Sequence, residues 1–485
     1  MQRNTLYFAA ALLILALSGQ RSALGAQRSG GQTGPIALSL ADAIRLAERE
    51  SEAVRVAQAG TDRARGQHLQ ARSQLFPDVA GSVSYQRAIQ SQFEEVSKRL
   101  GNGGDSTSGS GSEGTDFADS PIARIFASPS TFILGLTASQ TIYAGGRVRA
   151  GIAAAEAGRR AADLASRTAR AQVVFQVAQA YFDAQVANQL HVIAESSFVQ
   201  TERALAHTQL AREVGNAAEY DLIRAQVQRD NARPAVIGAR TQRDVALIRL
   251  RQILNLPDGQ PMMLSTPVED ATTSPVVFRT ASDLVLVTPD TAVSERAFVR
   301  QSEENVRAQE QQLAAARAQR LPSVSLSTNY QRFAYPAEGT VFEDVWKYYF
   351  PSWTVSLGVN VPLFTGGRLR GQELVARANL GEARARHDEA REAAAFDTRL
   401  VIAQLEQAEA AYAASAGTDT QAARGYAISE VRFAEGIGTQ LELTQARVDL
   451  ETARANRVRA GRDVALARLG VALLRDLPFG VAAER

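Results

Sequence analysis

Three stretches of the chain alternate apolar and polar residues with period two, the pattern of a strand with two unlike faces. Phe132, Leu134, Leu136, Ala138 and Ile142 alternate with Gly135, Thr137, Ser139 and Thr141, and Gln140 interrupts the apolar side. A cleaner copy sets Trp353, Val355, Leu357, Val359, Val361 and Leu363 against Thr354, Ser356, Gly358 and Asn360. After Pro322, Val324, Leu326, Thr328 and Tyr330 alternate with Ser325, Ser327, Asn329 and Gln331. Runs of roughly 12 residues with one apolar and one small-polar face suit a tilted membrane strand, apolar toward lipid and polar toward a wet lumen. Strands are predicted over 77–93, 130–143, 322–335 and 352–364, joined in pairs by loops 94–129 and 336–351.

Between the strands the period changes. Residues 147–212 and 368–434 are rich in Ala, Arg, Gln and Glu and lack proline, so they predict two long helices. Val174, Val177, Tyr181 and Ala184 trace the stripe of a packed helix face. About 66 residues at 1.5 Å each make roughly 100 Å, far beyond a globular helix. Shorter helices are predicted over 39–74, 219–254, 291–320 and 440–474. The proline-rich segment 255–290 breaks the pattern.

The chain is also written twice. Pro77, Val79, Ser82, Ser84, Tyr85, Gln86 and Arg87 recur 245 positions later as Pro322, Val324, Ser327, Asn329, Tyr330, Gln331 and Arg332, with only Ser84 changed. Ile142-Tyr143-Ala144-Gly145-Gly146-Arg147 returns 221 positions later as Leu363-Phe364-Thr365-Gly366-Gly367-Arg368, and RDVALIRL from Arg243 returns as RDVALARL from Arg462. Spacings that drift only where loops lie point to duplication. The predicted organisation is a signal peptide (1–26), a first repeat (36–254), a linker (255–290), a second repeat (291–474) and a short tail (475–485).

Composition narrows the function. The 53 basic and 51 acidic residues nearly cancel, so nothing advertises a nucleic-acid partner. There is no cysteine, which removes disulfides, thiolate metal sites and a lipid-anchored N-terminal cysteine. Arg3, the apolar run Leu6 to Leu17 and the small residues Ala23 to Ala26 read as an export signal. No later run of 18 apolar residues predicts a transmembrane helix.

His68, His191, His207 and His387 lack metal-ligand spacing, and no hydrolase, metalloprotease or P-loop motif occurs. Gly109 to Gly114 matches G-x-G-x-x-G inside a Gly/Ser tract with no strand before it and no helix after it, so it carries no dinucleotide site. The expectation is a protein that is not an enzyme and holds no cofactor or metal. Trp346, Tyr348, Tyr349, Phe350 and Trp353 are expected to form a headgroup-level aromatic girdle.

Four strands cannot close a membrane barrel, and open edges in lipid leave backbone groups unpaired at several kcal/mol each. Copies of the chain must share one barrel, two giving eight strands and three giving twelve. A trimeric surface adhesin or a structural coiled-coil outer-membrane protein is the rival architecture, but it calls for one terminal barrel segment rather than a hairpin inside each half.

The opening Leu40-Ala41-Asp42-Ala43-Ile44-Arg45-Leu46-Ala47, the duplicated strand–Gly-Gly–helix unit and the paired segments Gly215 to Ala225 and Gly436 to Ala446 resemble the TolC-like outer-membrane efflux proteins. The resemblance covers about 36–474 and implies an α+β membrane protein. Three chains, four strands each, form a twelve-strand barrel in outer-membrane lipid, continued by a coiled-coil helical barrel across the periplasm. It implies a passive exit duct for efflux or type I secretion, docked to a periplasmic adaptor and an inner-membrane transporter of RND, MFS or ABC type. By the same resemblance Asp221 and Glu442, with Tyr220, Phe433 and Gln445, form a periplasmic gate, Gln445 standing where the family's best-known member has a second acid. Gly215, Asn216, Gly436 and Gly438 form the adaptor-docking helix tips. Gly145, Gly146, Gly366 and Gly367 read as strand-to-helix turns.

Overall fold

A computed structural model describes residues 36–89, 130–257, 261–273, 278–279, 282–286, 288–335, 349–478 and 480. The expected export signal, the Gly/Ser tract, Trp346 and Tyr348 lie outside them. In chain order the elements are β1 (Ile36–Leu38), α1 (Leu40–Glu50), α2 (Glu52–Ser73), β2 (Asp78–Arg87), β3 (Ser130–Tyr143), α3 (Arg147–Glu213) and α4 (Glu219–Ile253). They continue with β4 (Met262–Leu264), α5 (Val268–Thr273), α6 (Ala297–Ala318), β5 (Ser323–Ala334), β6 (Tyr349–Asn360), α7 (Arg368–Ala434) and α8 (Gln440–Ala472).

The four long strands form one antiparallel sheet in the order β2-β3-β5-β6. Its registers repeat. Ser82 pairs with Gly135 and Tyr85 with Phe132, while Ser327 pairs with Ser356 and Tyr330 with Trp353, the same positions displaced by 245 and 221. The strands differ from the expected spans at their ends. Pro77 has no N–H to donate, and β2 stops at Arg87 because its partner β3 begins opposite it at Ser130. β6 is displaced toward the chain start: Tyr349 and Phe350 pair with Ala334 and Phe333 instead of lying in the loop. Residues 361–364 leave the strand, where Pro362 has no N–H for a ladder.

α3 and α7 each run 67 residues, about 100 Å at 1.5 Å per residue. α3 is flanked by α2 and α6, whereas among the described residues α7 has α6 on one side and no counterpart of α2 on the other. The helix expected over 39–74 is two helices, broken where Ser51 turns extended at φ −64°, ψ 130°. The helix expected over 291–320 starts only at Ala297, because its cap Arg296 adopts the same geometry at φ −63°, ψ 130°. Ser51 and Arg296 are repeat mates, displaced by 245.

The segment read as a break between halves carries structure. β4 pairs in parallel with β1, and both pack on the middle of α3. There the Tyr181 hydroxyl donates to the Leu38 carbonyl (3.0 Å) and accepts from the Thr266 N–H (2.9 Å). Val174, Phe175, Val177, Tyr181 and Phe182 of α3 are buried with Ile44, Leu250, Leu466 and Leu469, so the core is a belt around the midpoint of the long helices. No helix among the described residues is long and apolar enough to cross a membrane. The sheet carries a continuous exposed apolar face, on which Val83 (78%), Trp353 (73%) and Leu357 (66%) stand open.

Candidate functional site

Two regions hold the predicted functional residues: the sheet with its helix junctions, and the far tips of the two helical hairpins. At the sheet end, Gly145 and Gly146 have φ of +59° and +88°, and Gly366 and Gly367 have +58° and +85°. These left-handed angles turn each strand into its long helix at little cost only for glycine. A Cβ on Gly145 would stand 2.6 Å from the Leu321 Cβ, whereas nothing lies within 4 Å of one on Gly366. β2 and β6 form the two ends of the sheet, each with one edge unpaired. Of the expected girdle, Trp353 stands on the exposed apolar face, its indole N–H donating to the Thr328 hydroxyl at 2.8 Å.

At the opposite end, α3 and α7 stop in the same way. The N–H of Asn216 reaches the Ala211 carbonyl (2.8 Å) and that of Gly215 the Arg212 carbonyl (2.9 Å). Ile437 to Arg432 (3.0 Å) and Gly436 to Phe433 (3.1 Å) reproduce the motif, which satisfies otherwise orphaned helix carbonyls around a left-handed glycine. Gly438 packs close to the chain; a Cβ there would meet Arg432 at 3.1 Å. Each tip is spanned by an ion pair, Arg212–Glu219 (3.5 Å) and Arg432–Glu442 (3.7 Å).

The two tips lie together. The Gln440 amide, oriented to satisfy both its atoms, donates to the Asp221 carbonyl (3.2 Å) and accepts from the Ala225 N–H (3.1 Å). The Thr444 hydroxyl reaches Gln228 at 3.1 Å, and the Phe433 ring lies 5.3 Å from the His207 ring. Tyr220 is exposed beside Asp221 in the first turn of α4. Glu442 completes a capping box: its carboxylate accepts from the Thr439 N–H (3.4 Å) while the Thr439 hydroxyl accepts from the Glu442 N–H (3.2 Å). Among the described residues no ion pair or hydrogen bond joins Asp221 to Glu442, as they lie on different hairpins.

Glu442 and Gln445 line a groove of about 650 Å³ with Tyr426 and Asp449. The Gln445 amide donates to the Asp449 carboxylate at 2.9 Å, so the acid absent at 445 stands one turn further along. Tyr426 donates to Glu430 at 3.3 Å. Burial, reinforced by Glu430, pushes its phenol up to about 12. Asp449 and Tyr426 were not singled out from the sequence, and His207 was named there only as a histidine without metal-ligand spacing; the helical spacing 442, 445, 449 is the one signal that could have found Asp449. Behind the groove, Arg447 bonds to Ser197, whose hydroxyl donates to Glu451 at 2.9 Å, tying α8 to α3. This is an array of charges and hydrogen bonds at a junction of helices, and among the described residues no cluster could hold a metal ion.

Residues 43–256 and 288–474 match the family described as Outer membrane efflux protein. The chain is 26% identical over 340 residues, 70% of each protein, to the outer membrane efflux protein BepC of Brucella suis biovar 1. Its fold is similar to that of the open-state Neisseria gonorrhoeae MtrE outer membrane channel, with a TM-score of 0.68 at 20% identity over 94% of this chain and 96% of that one. Similarity to the outer membrane protein VceC of Vibrio cholerae gives 0.67 at 19% identity over 91% and 96%. With the family matched along both halves and the fold shared end to end, the chain belongs to the outer membrane efflux protein family.

Proposed function

We propose that three copies of this outer-membrane chain close one twelve-strand barrel, and that their helices continue it as a passive exit duct across the periplasm. The duct serves an efflux pump or a type I secretion system, in which an inner-membrane transporter supplies the energy and a periplasmic adaptor holds the tips at Gly215, Asn216, Gly436 and Gly438. The observation that carries this reading is the sheet with two open edges, β2 and β6, and an apolar face exposed on the same strands. Such a face is intolerable in water and suited to lipid, and in lipid the open edges are intolerable until a neighbouring copy completes the ladder.

The repeat supports the same conclusion in the helices. Phe175 is 1% exposed, and its mate Phe396, displaced by 221, is 69% exposed on the helix that lacks a second flanking partner. A neighbour's α2, set against α7 as α6 is set against α3, supplies that flank.

Asp221 and Glu442, with Tyr220, Phe433 and Gln445, are the gate in this reading. Carboxylates around a narrow wet aperture favour cations; the Arg432–Glu442 pair closes the tip of one hairpin, and the Gln440 bridge to α4 with the Thr444–Gln228 contact holds the two hairpins together. Purified protein in planar bilayers tests it. Discrete single-channel steps are expected, and alanine at both Asp221 and Glu442 should change conductance or cation preference. A protein that inserts without conducting removes the duct, and unchanged currents in the double variant remove these two acids from the gate.

A further inference from the structure

Two arginines sit where the apolar face of the sheet ends. Arg87 is the last residue of β2 and Arg332 stands two residues from the end of β5, both at the end remote from the helices. By strand parity Arg87 shares a face with Val79, Val83 and Tyr85, and Arg332 with Leu326, Thr328 and Tyr330. Both are exposed, and among the described residues neither meets a carboxylate. They are repeat mates in the phrase Tyr-Gln-Arg, at 85–87 and 330–332.

Each arginine follows a tyrosine on its own face. The Arg332 Nε–H donates to the Tyr330 hydroxyl at 2.8 Å, with the guanidinium 5.8 Å from the ring centre. Tyr85 packs against Phe132 at 4.7 Å and shares a hydrogen bond with Ser130 at 3.1 Å. Aliphatic residues, then an aromatic, then a guanidinium is the order of surroundings met on passing from hydrocarbon into headgroups.

The two arginines also lie at nearly one height. Arg87 is opposite Ser130 and Arg332 opposite Leu134, four residues apart on β3. For strands tilted about 45°, two strand spacings of about 4.8 Å rise about 7 Å and four residues of about 3.3 Å fall about 9 Å, so the levels agree within about 3 Å.

We propose that Arg87 and Arg332 form a belt that binds the phosphate groups of outer-leaflet lipid headgroups; this rests on the lipid-facing orientation and threefold closure argued above, which make it six arginines per barrel. A guanidinium offers a planar fork of N–H donors that matches two phosphate oxygens, and at Arg332 the tyrosine fixes one side of that fork. The Tyr330 hydroxyl takes one N–H of Arg332, leaving the others for an anion.

The test uses the full-length assembled protein and Arg87→Gln/Arg332→Gln, each reconstituted in phosphatidylethanolamine vesicles containing bis-phosphorylated lipid A or its dephosphorylated form. Retained lipid is measured by mass spectrometry after detergent extraction. The wild type should retain the phosphorylated lipid in preference, and the double variant should lose that preference about fivefold at each site, the partition expected for one basic residue at an anionic surface. Arg→Lys at both positions should fall between the two. Equal retention by wild type and the Gln variant overturns the proposal, as does equal retention of the dephosphorylated lipid. Displacement by millimolar inorganic phosphate assigns the site to a soluble anion and overturns the lipid assignment. Planar-bilayer conductance of the Gln variant is read in parallel: loss of retention with intact channels supports the belt, whereas a wild type that forms no channels and takes up no lipid refutes the membrane reading itself.

Discussion

If neighbouring copies extend the pattern seen within one chain, the seam between them can be written residue by residue. Within the chain, Thr137 of β3 faces Asn329 of β5, and the two side chains are 3.4 Å apart. Displacing these by +221 and −245 gives Gly358 on β6 and Ser84 on the neighbour's β2. On that register, residues 355–360 pair with 82–87, six pairs within the two edge strands. An antiparallel ladder averages about one hydrogen bond per pair, so an open seam strands about six bonds in hydrocarbon, on the order of 20 kcal/mol.

The chain has no cysteine, so Ser84→Cys/Gly358→Cys introduces the only thiols. Opposed residues in such a ladder have Cα atoms about 4.5–5.5 Å apart, inside the range a disulfide spans. A side chain at 358 has room, the nearest atom to its Cβ being the Ser325 hydroxyl at 3.5 Å. Oxidised membranes run on a non-reducing gel should give covalent dimers and trimers, nothing larger, and nothing from either single variant. A ladder ending at the dimer would mean two copies and eight strands. Cross-links formed instead by Ser84→Cys/Asn360→Cys would refute the register, and none from either pair would refute the seam.

Three further perturbations read the same architecture. Gly145→Ala combines a left-handed backbone cost of about 1–2 kcal/mol with a clash on Leu321, whereas Gly366→Ala meets that clash only when a neighbour brings Phe76, the repeat mate of Leu321; denaturant unfolding should show the first and trimer heat resistance the second. Asp397→Asn leaves the 1%-exposed Arg296 without its 2.7 Å carboxylate partner and should cost about 3–5 kcal/mol in thermal unfolding, most of it recovered in Arg296→Met/Asp397→Leu. Phe396→Ala should leave the helical content of unassembled chains unchanged but weaken the trimer by about 3 kcal/mol at each interface, measured as a lower dissociation temperature; equal loss in both states would show that Phe396 packs within its own chain.

The strands and long helices were legible because their patterns run for many residues. Trp353 to Asn360 alternate cleanly, and the span from Arg368 to Ala434 contains no helix breaker strong enough to stop it. The small parallel pair of Ile36–Leu38 with Met262–Leu264 was not legible. Three residues show no period, the partners lie 226 positions apart, and the second stands among prolines that otherwise mark a break. Ser51 hid for another reason: serine inside a helical stretch is common, and only the packing of α1 against the core makes it a corner. At the tips the sequence located the glycines by their role in chain reversal, but not Tyr426 or Asp449, whose significance arises only when α7 and α8 lie side by side.

The places where the two copies have diverged explain why the pieces do not exchange partners. On the second half, Arg384 of α7 pairs with Glu310 of α6 at 2.9 Å. Their repeat mates are Asp163 of α3 and Arg65 of α2, which line one groove with the signs reversed. Seating α2 in the place of α6 against α7 would set Arg65 against Arg384, and the reciprocal error would set Glu310 against Asp163. Such exposed pairs contribute about 0–1 kcal/mol each when matched, so they add little stability. As a difference between right and wrong partners they count twice, once for the attraction lost and once for the repulsion gained. The α3–α6 contact adds a second discriminator: Arg160 meets Glu304 at 2.9 Å within the chain, and the corresponding positions, 381 and 59, hold glycine and alanine. On the proposed closure a seam between copies presents small uncharged residues where the seam within a copy presents an ion pair, and a chain that bound its neighbour through the wrong half would lose the Arg160–Glu304 pair and leave the two charges only their own-helix partners, Glu156 and Arg307.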